Sequence, residues 1–152
     1  MIINGVGNGA PKVASSLYPE SSSDYGVVST LIYGAQWDTA LKFIGAYNVG
    51  EEGYDRYATN STGMGNYSGM GNGDTFPYSP TTAGGAVEFR QKNIYDMAGN
   101  VWELTNEKRG TRPIWRGGSA DGGDPASYRA SNQIGYADSY LGFRVALYIR
   151  SN

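Results

Sequence analysis

Three short blocks of alternating apolar and polar residues constrain this chain more than any other feature of its sequence. They occupy residues 93–105, 115–119 and 141–147, and each contains at least one glycine. Alternation with a period of two residues indicates β-strands, and glycine permits sharp turns beside them. The pattern therefore predicts several short strands, the last two of which enclose a segment of different composition, residues 120–140.

The predicted strands cover residues 85–90, 100–105, 111–116 and 142–149. Turn-forming residues flank them, as expected for short strands. In the second of these strands Trp102 and Leu104 would share one face. The last strand is the most apolar, and one of its faces would consist of Phe143, Val145, Leu147 and Ile149.

A helix is predicted within residues 25–47, where apolar residues recur with helical spacing. Ser29 or Thr30 would cap its start, and Gly45 lies where it would end. Its apolar face most simply belongs to the core and would consist of Trp37, Ala40, Leu41, Phe43 and Ile44.

The chain of 152 residues has the length of one domain. Residues 1–24 are rich in Gly, Asn and Ser and predict an irregular N-terminal segment, so the domain proper would cover residues 25–152. Residues 48–85 are poor in apolar side chains and predict a long surface loop.

The composition excludes several kinds of chemistry. The chain has neither Cys nor His, which removes thiolate nucleophiles, His-based triads and the usual ligands of zinc and iron. The net charge of -2 leaves no basic surface for nucleic acid. No apolar run is long enough for membrane insertion, and residues 1–9 do not resemble a signal peptide, so the sequence gives no indication of export.

The blocks resemble the signature of the formylglycine-generating-enzyme-like domain, a branch of the C-type lectin fold. The matching motifs are DMAGNVWE at residues 96–103, RGGS at 116–119 and GFRV at 142–145, and residues 31–38 resemble the helix upstream of them. The resemblance spans about residues 31–149 and implies an α+β domain with short antiparallel strands, one or two helices and extensive loops.

Within that family, the variable proteins of diversity-generating retroelements are the most similar group. The shared motifs are YGAQWD at residues 33–38, PASYR at 125–129 and GFRVALY at 142–148. This resemblance implies a hypervariable, non-catalytic ligand-binding protein whose variable region lies at about residues 116–144. It further implies display at the tip of a phage tail fibre, where the protein binds a host-cell surface protein or glycan, or display on a bacterial surface.

The same resemblance leaves the assembly open. The chain would form a homo-oligomer, with a trimer suited to a fibre, or attach to a larger tail protein; no coiled-coil heptads are present. Enzymes of this family rely on cysteines with copper, or on histidines with iron, and this chain has neither residue type. We therefore expect no enzymatic activity and no cofactor.

The predicted binding surface lies in residues 120–140. Its Tyr, Ser, Gly, Asn and Asp residues are the types that antibody paratopes use, because tyrosine supplies stiff contact area and the small polar residues adapt. Tyr128, Tyr136 and Tyr140 would be the anchors. The full set is Ala120, Asp121, Gly123, Asp124, Tyr128, Ala130, Ser131, Asn132, Gly135, Tyr136, Ala137, Asp138, Ser139 and Tyr140. The alternative is a loop that is merely solvated.

Charged residues of the blocks have both structural and functional interpretations. Arg116, Arg129 and Arg144 would tie loops together through their guanidinium groups, or would grip an acidic ligand. Glu103 would pair with a buried arginine such as Arg116 or Arg144, and Asp96 would accept backbone hydrogen bonds in a turn.

Two functions for the acidic residues stay open. The carboxylates include Asp96, Glu103, Asp121, Asp124 and Asp138, and an enzyme with a carboxylate pair would need two of them to converge. Calcium could bind the pair at Asp121 and Asp124, although two carboxylates alone are too few for a site.

Overall fold

The computed structural model describes residues 6–21, 26–45, 57–61, 63–67 and 89–149. These residues form an α+β domain, as the sequence predicts, with two helices and eight short strands in the described ranges. In chain order the elements are α1 (Val6–Leu17), β1 (Val27–Leu31), α2 (Gly34–Gly45), β2 (Arg90–Gln91), β3 (Ile94–Tyr95), β4 (Trp102–Arg109), β5 (Arg112–Arg116), β6 (Arg129–Ser131), β7 (Leu141–Phe143) and β8 (Val145–Ile149).

Two sheets organise the domain. Strands β1 and β8 pair antiparallel, with Leu31 opposite Val145. The second sheet has the order β6-β5-β4-β7, in which only β7 runs parallel to its neighbour β4. The short pair β2–β3 stands apart from both sheets. This second sheet carries the segment 120–140 between β5 and β7.

The predicted central helix is present as α2, and Trp37, Leu41 and Ile44 are buried as predicted. Its predicted boundary was wrong, because Ser29 and Thr30 lie in β1 and pair with β8. The helix instead begins after Tyr33, whose backbone N–H donates to the side-chain oxygen of Gln36 at 2.9 Å. Phe43 was also misplaced, since 55% of it is exposed.

The predicted irregular N-terminal segment contains helix α1. Ala10 and Ala14, four residues apart, are fully buried against β1 and its neighbours. Ser29 fastens the helix by donating a hydrogen bond to the Ala14 carbonyl at 2.6 Å. The glycine and proline content disfavours a helix locally, and this packing overrides that preference.

The predicted strand at 142–149 is two strands. Strand β7 ends at Phe143 and β8 begins at Val145, and between them Arg144 turns towards the interior. The apolar face that the sequence predicts is only partly covered: Leu147 is 58% and Ile149 is 88% exposed.

The core has two clusters. One surrounds Trp37 and includes Leu41, Met97 and Ala126. The other lies between α1 and the larger sheet and includes Leu31, Leu104, Trp115 and Leu141. At 12 residues each, the helices in the described ranges are shorter than the roughly 20 apolar residues that a bilayer span requires.

Part of the predicted surface loop at 48–85 belongs to the first cluster. Tyr57, Ala58, Ser61 and Tyr67 are buried, so this part of the prediction was wrong. They are held by specific hydrogen bonds, such as the one from the Ala126 N–H to the Ser61 hydroxyl at 3.0 Å. Most of the remaining loop, and the predicted strand residues 85–88, lie outside the described residues.

Candidate functional site

The scaffold behind the candidate site is built around Trp37. Its indole N–H donates to the Ala126 carbonyl at 2.9 Å. The guanidinium carbons of Arg144 and Arg116 lie 5.2 and 5.8 Å from its ring centroid, within the range of cation–π interactions. Gly117 passes so close that a Cβ there would lie 2.8 Å from the Met97 carbonyl oxygen.

Glu103 forms a bidentate ion pair with Arg144, which confirms one of the two predicted pairings. The same guanidinium donates to the carbonyls of Tyr95 and Asp96 at 3.2 and 3.3 Å. Burial raises the pKa of Glu103, while Arg144 opposes that shift by stabilising the carboxylate. All of these contacts tie β4 to the β2–β3 region and to the junction of β7 and β8.

Arg116 pairs with Asp38 on α2, not with Glu103. Burial lowers the pKa of Arg116, and Asp38 counteracts this effect. Arg129 contacts the same Asp38 carboxylate at 2.7 Å and Glu107 at 2.9 Å. We define the buried arginine–tryptophan cluster as Trp37, Arg116 and Arg144 with their partners Asp38 and Glu103. Its contacts show the loop-tying role that the sequence suggests for these arginines.

Asp96 also serves the scaffold. It is buried with a φ of 52°, and its carboxylate accepts a hydrogen bond from the Asn66 amide at 3.2 Å. The segment at 63–67 is thereby joined to the turn before β4.

The opposite face of the larger sheet carries a pocket of about 150 Å³. Trp115 on β5 lies opposite Leu104 on one side and Ala130 on the other, and Trp102 lies opposite Leu141. The loop between β6 and β7 covers this end of the sheet. We define the aromatic pocket by its lining, which is Trp102, Trp115, Ser119, Asp121, Tyr136, Asp138, Tyr140 and Leu141.

Aromatic pairs extend along this face. The ring centroids of Trp115 and Tyr136 are 5.4 Å apart, and those of Trp102 and Tyr128 are 5.8 Å apart. Such separations are typical of favourable aromatic contacts. The exposed tyrosines are therefore held against tryptophans that the sheet itself positions.

Asp138 organises the end of the loop. Its carboxylate accepts hydrogen bonds from the Tyr140 backbone N–H and from the Tyr136 hydroxyl, both at 2.9 Å. These bonds, the backbone one first, lower the pKa of Asp138, so the group is ionised at neutral pH. The second carboxylate of the pocket, Asp121, accepts a hydrogen bond from the Ser119 hydroxyl at 2.6 Å.

The predicted surface residues occupy three kinds of position. Asp121, Tyr136, Asp138 and Tyr140 line the aromatic pocket. Further residues of the predicted set lie around the pocket and are exposed or half-buried, namely Gly123, Asp124, Tyr128, Ala130, Ser131, Asn132, Gly135, Ala137 and Ser139. Ala120 is 3% exposed, and its N–H donates to the Asn100 carbonyl at 2.9 Å. We therefore remove Ala120 from the candidate surface.

Sequence reasoning missed four residues of the lining. Trp102, Trp115, Ser119 and Leu141 lie in or beside the motif blocks, which the sequence assigned to the scaffold. The alternation around β4 places Trp102 and Leu104 on one face, but it does not show that this face leaves the core at one end. The pairing with β5 and β7 decides that point.

The structure does not bring Asp121 and Asp124 together as part of a larger ligand set. Within the described ranges, no group of three or more Asp or Glu side chains is arranged to hold a metal ion. Asp124 lies outside the lining of the pocket, and its carbonyl accepts a hydrogen bond from the Tyr67 hydroxyl at 2.5 Å.

The paired terminal strands, the two helices and the loop-bearing second sheet define a domain of the C-type lectin fold. The structure is similar to the crystal structure of CarF, with 25% identity and a TM-score of 0.59 over 82% of this chain and 48% of that one. It is also similar to variable protein 1 of Treponema denticola, with 18% identity and a TM-score of 0.55 over 86% of this chain and 54% of that one.

Both likenesses agree with the C-type lectin fold that the sequence motifs imply. No family model matches the chain, and a search of curated proteins finds no match. The chain spans about half the length of each of these two solved structures.

Proposed function

We propose that this domain is a non-catalytic ligand-binding protein whose binding surface is hypervariable. The observation that carries the proposal is that the two faces of the larger sheet carry different groups of residues. One face holds the buried arginine–tryptophan cluster, and the other presents the aromatic pocket and the loop from β6 to β7.

The loop is built so that its side chains can change without loss of the fold. Gln133, Ile134, Tyr136 and Ala137 are all exposed. Substitutions at such positions usually change stability by no more than about 0.5 kcal/mol. The pocket floor, in contrast, comes from strands β4 and β5, so a changed loop would still be displayed on a fixed base.

We further propose that the protein is displayed at a phage tail fibre tip, where it attaches to the host surface, or on a bacterial surface. The retroelement-type motifs and the structural likeness to a variable protein support this proposal. The partner would be a surface protein or a glycan. The Tyr-rich face suits either, because tyrosine supplies both apolar area and a hydrogen-bonding hydroxyl.

The gene sequence tests the diversification directly. A second copy of the segment that encodes residues 116–144, differing from it at adenines and lying near a reverse transcriptase gene, is the expected finding. A genome without that copy would refute the retroelement part of the proposal and leave the binding part intact.

Binding to host cells tests the surface. The double substitution Tyr136→Ala and Tyr140→Ala should abolish binding, while the thermal unfolding midpoint changes little. Tyr33→Ala is the matched control, because Tyr33 is also exposed and lies outside the pocket lining. Unaltered cell binding by the double variant would show that this face is not the binding surface.

An enzyme that uses carboxylates is the second candidate, because Asp121 and Asp138 line the same pocket. A general acid must hold its proton near neutral pH, and the lowered pKa of Asp138 makes it unsuited to that role. Hydrolysis of aryl glycosides that disappears in Asp121→Asn would establish this alternative; no hydrolysis by the wild type would remove it.

A further inference from the structure

The aromatic pocket combines aromatic walls with acidic side chains. Four of its eight lining residues are aromatic, and two are aspartates. No lysine or arginine lines it, and within the described ranges neither aspartate forms an ion pair. We propose that the pocket binds an organic cation, an ammonium or guanidinium group carried by the ligand. This inference rests on the proposed function and specifies the ligand class of the same site.

The charge of the pocket favours a cation. Asp138 is held in its ionised form by the Tyr140 N–H and the Tyr136 hydroxyl. Those two donors are neutral, so they stabilise the carboxylate without neutralising its charge. A ligand that covers the pocket would remove water from both aspartates, and only a positive charge compensates for that desolvation.

The nearby arginines do not supply this charge. Arg129 lies on β6 beside the pocket, but its guanidinium is engaged by Asp38 and Glu107. Arg116 and Arg144 are directed to the other face of the sheet, where they flank Trp37. The paired charges thus lie on the face of the sheet that packs around Trp37, and the two aspartates lie on the face with the aromatic pocket.

The walls of the pocket have the chemistry that recognises organic cations. Tryptophan offers the strongest cation–π face of the aromatic residues, and Trp102 and Trp115 both line the pocket. Tyr136 packs against Trp115, which fixes the orientation of that wall. An anionic sugar would meet the same rings together with two like charges, and we expect it to be excluded.

A neutral sugar is the competing ligand, since sugars also stack on aromatic rings and donate hydrogen bonds to carboxylates. Its hydroxyls would satisfy the acceptor oxygens of Asp121 and Asp138. They would nevertheless leave the two negative charges without a counter-charge in a covered pocket. The experiment therefore compares cations with neutral molecules of the same shape.

The three tryptophans provide the measurement. In spectra of the 15N-labelled protein, the indole N–H signals of Trp102 and Trp115 should shift during titration with tetramethylammonium or with Nα-acetylarginine amide. The signal of Trp37 should not move, because its indole N–H is bound to Ala126 in the interior. The neutral molecules neopentyl alcohol and Nα-acetylcitrulline amide should produce no shift at equal concentration.

The relative affinities of the two cations distinguish the source of the ligand. Stronger binding of tetramethylammonium would indicate a quaternary ammonium group, and stronger binding of Nα-acetylarginine amide would indicate a protein side chain. Either outcome supports the inference. Equal shifts from the cations and their neutral counterparts would overturn it.

Charge-removing variants complete the test. Asp121→Asn and Asp138→Asn should each weaken cation binding by about tenfold, the loss expected for one charge-assisted contact. Asp124→Asn is the matched control, because it removes one charge from the same region outside the pocket lining. A similar loss of cation affinity in all three variants would show that net charge alone causes the effect, and it would overturn the specific site.

The cation inference and the proposed function fail differently. If host-cell binding depends on Tyr136 and Tyr140 while no cation shifts the indole signals, the cation inference is wrong and the proposed function stands. If cations bind as expected while the double tyrosine variant still binds cells, the pocket is real and its assignment as the host-binding surface is wrong.

Discussion

The two faces of the larger sheet use similar residues for opposite purposes. Behind the sheet, Trp37 lies between Arg116 and Arg144, and each arginine has its own carboxylate partner. In front of it, Trp102 and Trp115 stand beside carboxylates that have no cationic partner in the described part of the chain. The charges of the first arrangement are paired within the protein, whereas those of the second are the ones that we propose a ligand would pair.

The difference shows how a fixed fold can carry a changeable surface. Charged groups inside the fold must be paired, so their positions restrict one another. Exposed aspartates and tyrosines keep their hydration and do not require partners for folding. Mutation can therefore act on the front face while the back face preserves the fold.

The largest expected effect comes from breaking the back face. Arg144→Met would leave Glu103 buried without its counter-charge and should lower the free energy of unfolding by about 3–5 kcal/mol. Urea denaturation measures the change. Arg129→Met is the control, since its ion pairs with Asp38 and Glu107 are partly exposed and should each contribute no more than about 1 kcal/mol. Equal losses of unfolding free energy in the two variants would show that burial does not decide how much an ion pair contributes to stability.

A pair of glycines makes the comparison at the level of the backbone. Gly117 and Gly135 have nearly the same φ, 88° and 89°. A Cβ at Gly117 would lie 2.8 Å from the Met97 oxygen, whereas one at Gly135 would meet no atom within 4 Å. Alanine at Gly135 should lose about 1 kcal/mol through backbone strain alone. Alanine at Gly117 should lose about 2–3 kcal/mol or more, because overpacking adds to that strain.

Thermal unfolding of the two alanine variants provides the measurement. The lower midpoint should belong to Gly117→Ala. Identical midpoints would mean that the close contact with Met97 relaxes, so that the back face is less rigid than its packing indicates.

The smallest effect concerns Tyr67, which joins the two regions by donating to the Asp124 carbonyl. Burial raises the pKa of Tyr67 from 10.0 to about 12. The neutral form is therefore favoured in the folded state, and its contribution is fully present below pH 10 and is lost as the pH rises towards 12. The unfolding free energy should fall in that range by up to about 1.4 kcal/mol per pH unit from this group.

The variant Tyr67→Phe separates the contribution of the Tyr67 hydroxyl from that of the other titratable groups. It should lose about 1 kcal/mol at neutral pH with the hydrogen bond, and its stability should fall less steeply above pH 10. Urea denaturation at several pH values measures both quantities. An unchanged slope would show that Tyr67 does not titrate as its burial requires.

Local sequence patterns predicted the parts of the fold that depend on interactions between residues close together in the chain. The alternation at residues 100–105 and 111–116 matches β4 and β5, and the spacing of Trp37, Leu41 and Ile44 matches the buried face of α2. The pairing of Glu103 with Arg144 was one of two options, because charge alone does not say which arginine reaches the carboxylate. Helix α1 was missed, since Ala10 and Ala14 become helix contacts only when β1 lies beneath them.

The candidate site was predicted only in part for the same reason. The composition of residues 120–140 pointed to a contact surface, and Asp121, Tyr136, Asp138 and Tyr140 line the pocket. The tryptophans of its base were assigned to the scaffold, because a strand pattern gives the face of a side chain but not whether that face is covered. Ala120 was included because it lies within the segment, although its side chain is buried.

The sequence by itself determined the chemistry that this protein cannot perform and the blocks from which its strands are made. Without Cys or His, it lacks thiolate nucleophiles, His-based triads and the usual ligands of zinc and iron, and period-two alternation predicts short strands. Only the tertiary structure decided that Arg116 reaches Asp38, that Trp102 and Trp115 form the floor of a pocket, and that two aspartates join them there. These contacts join residues far apart in the chain, and the path of the backbone between them brings them together.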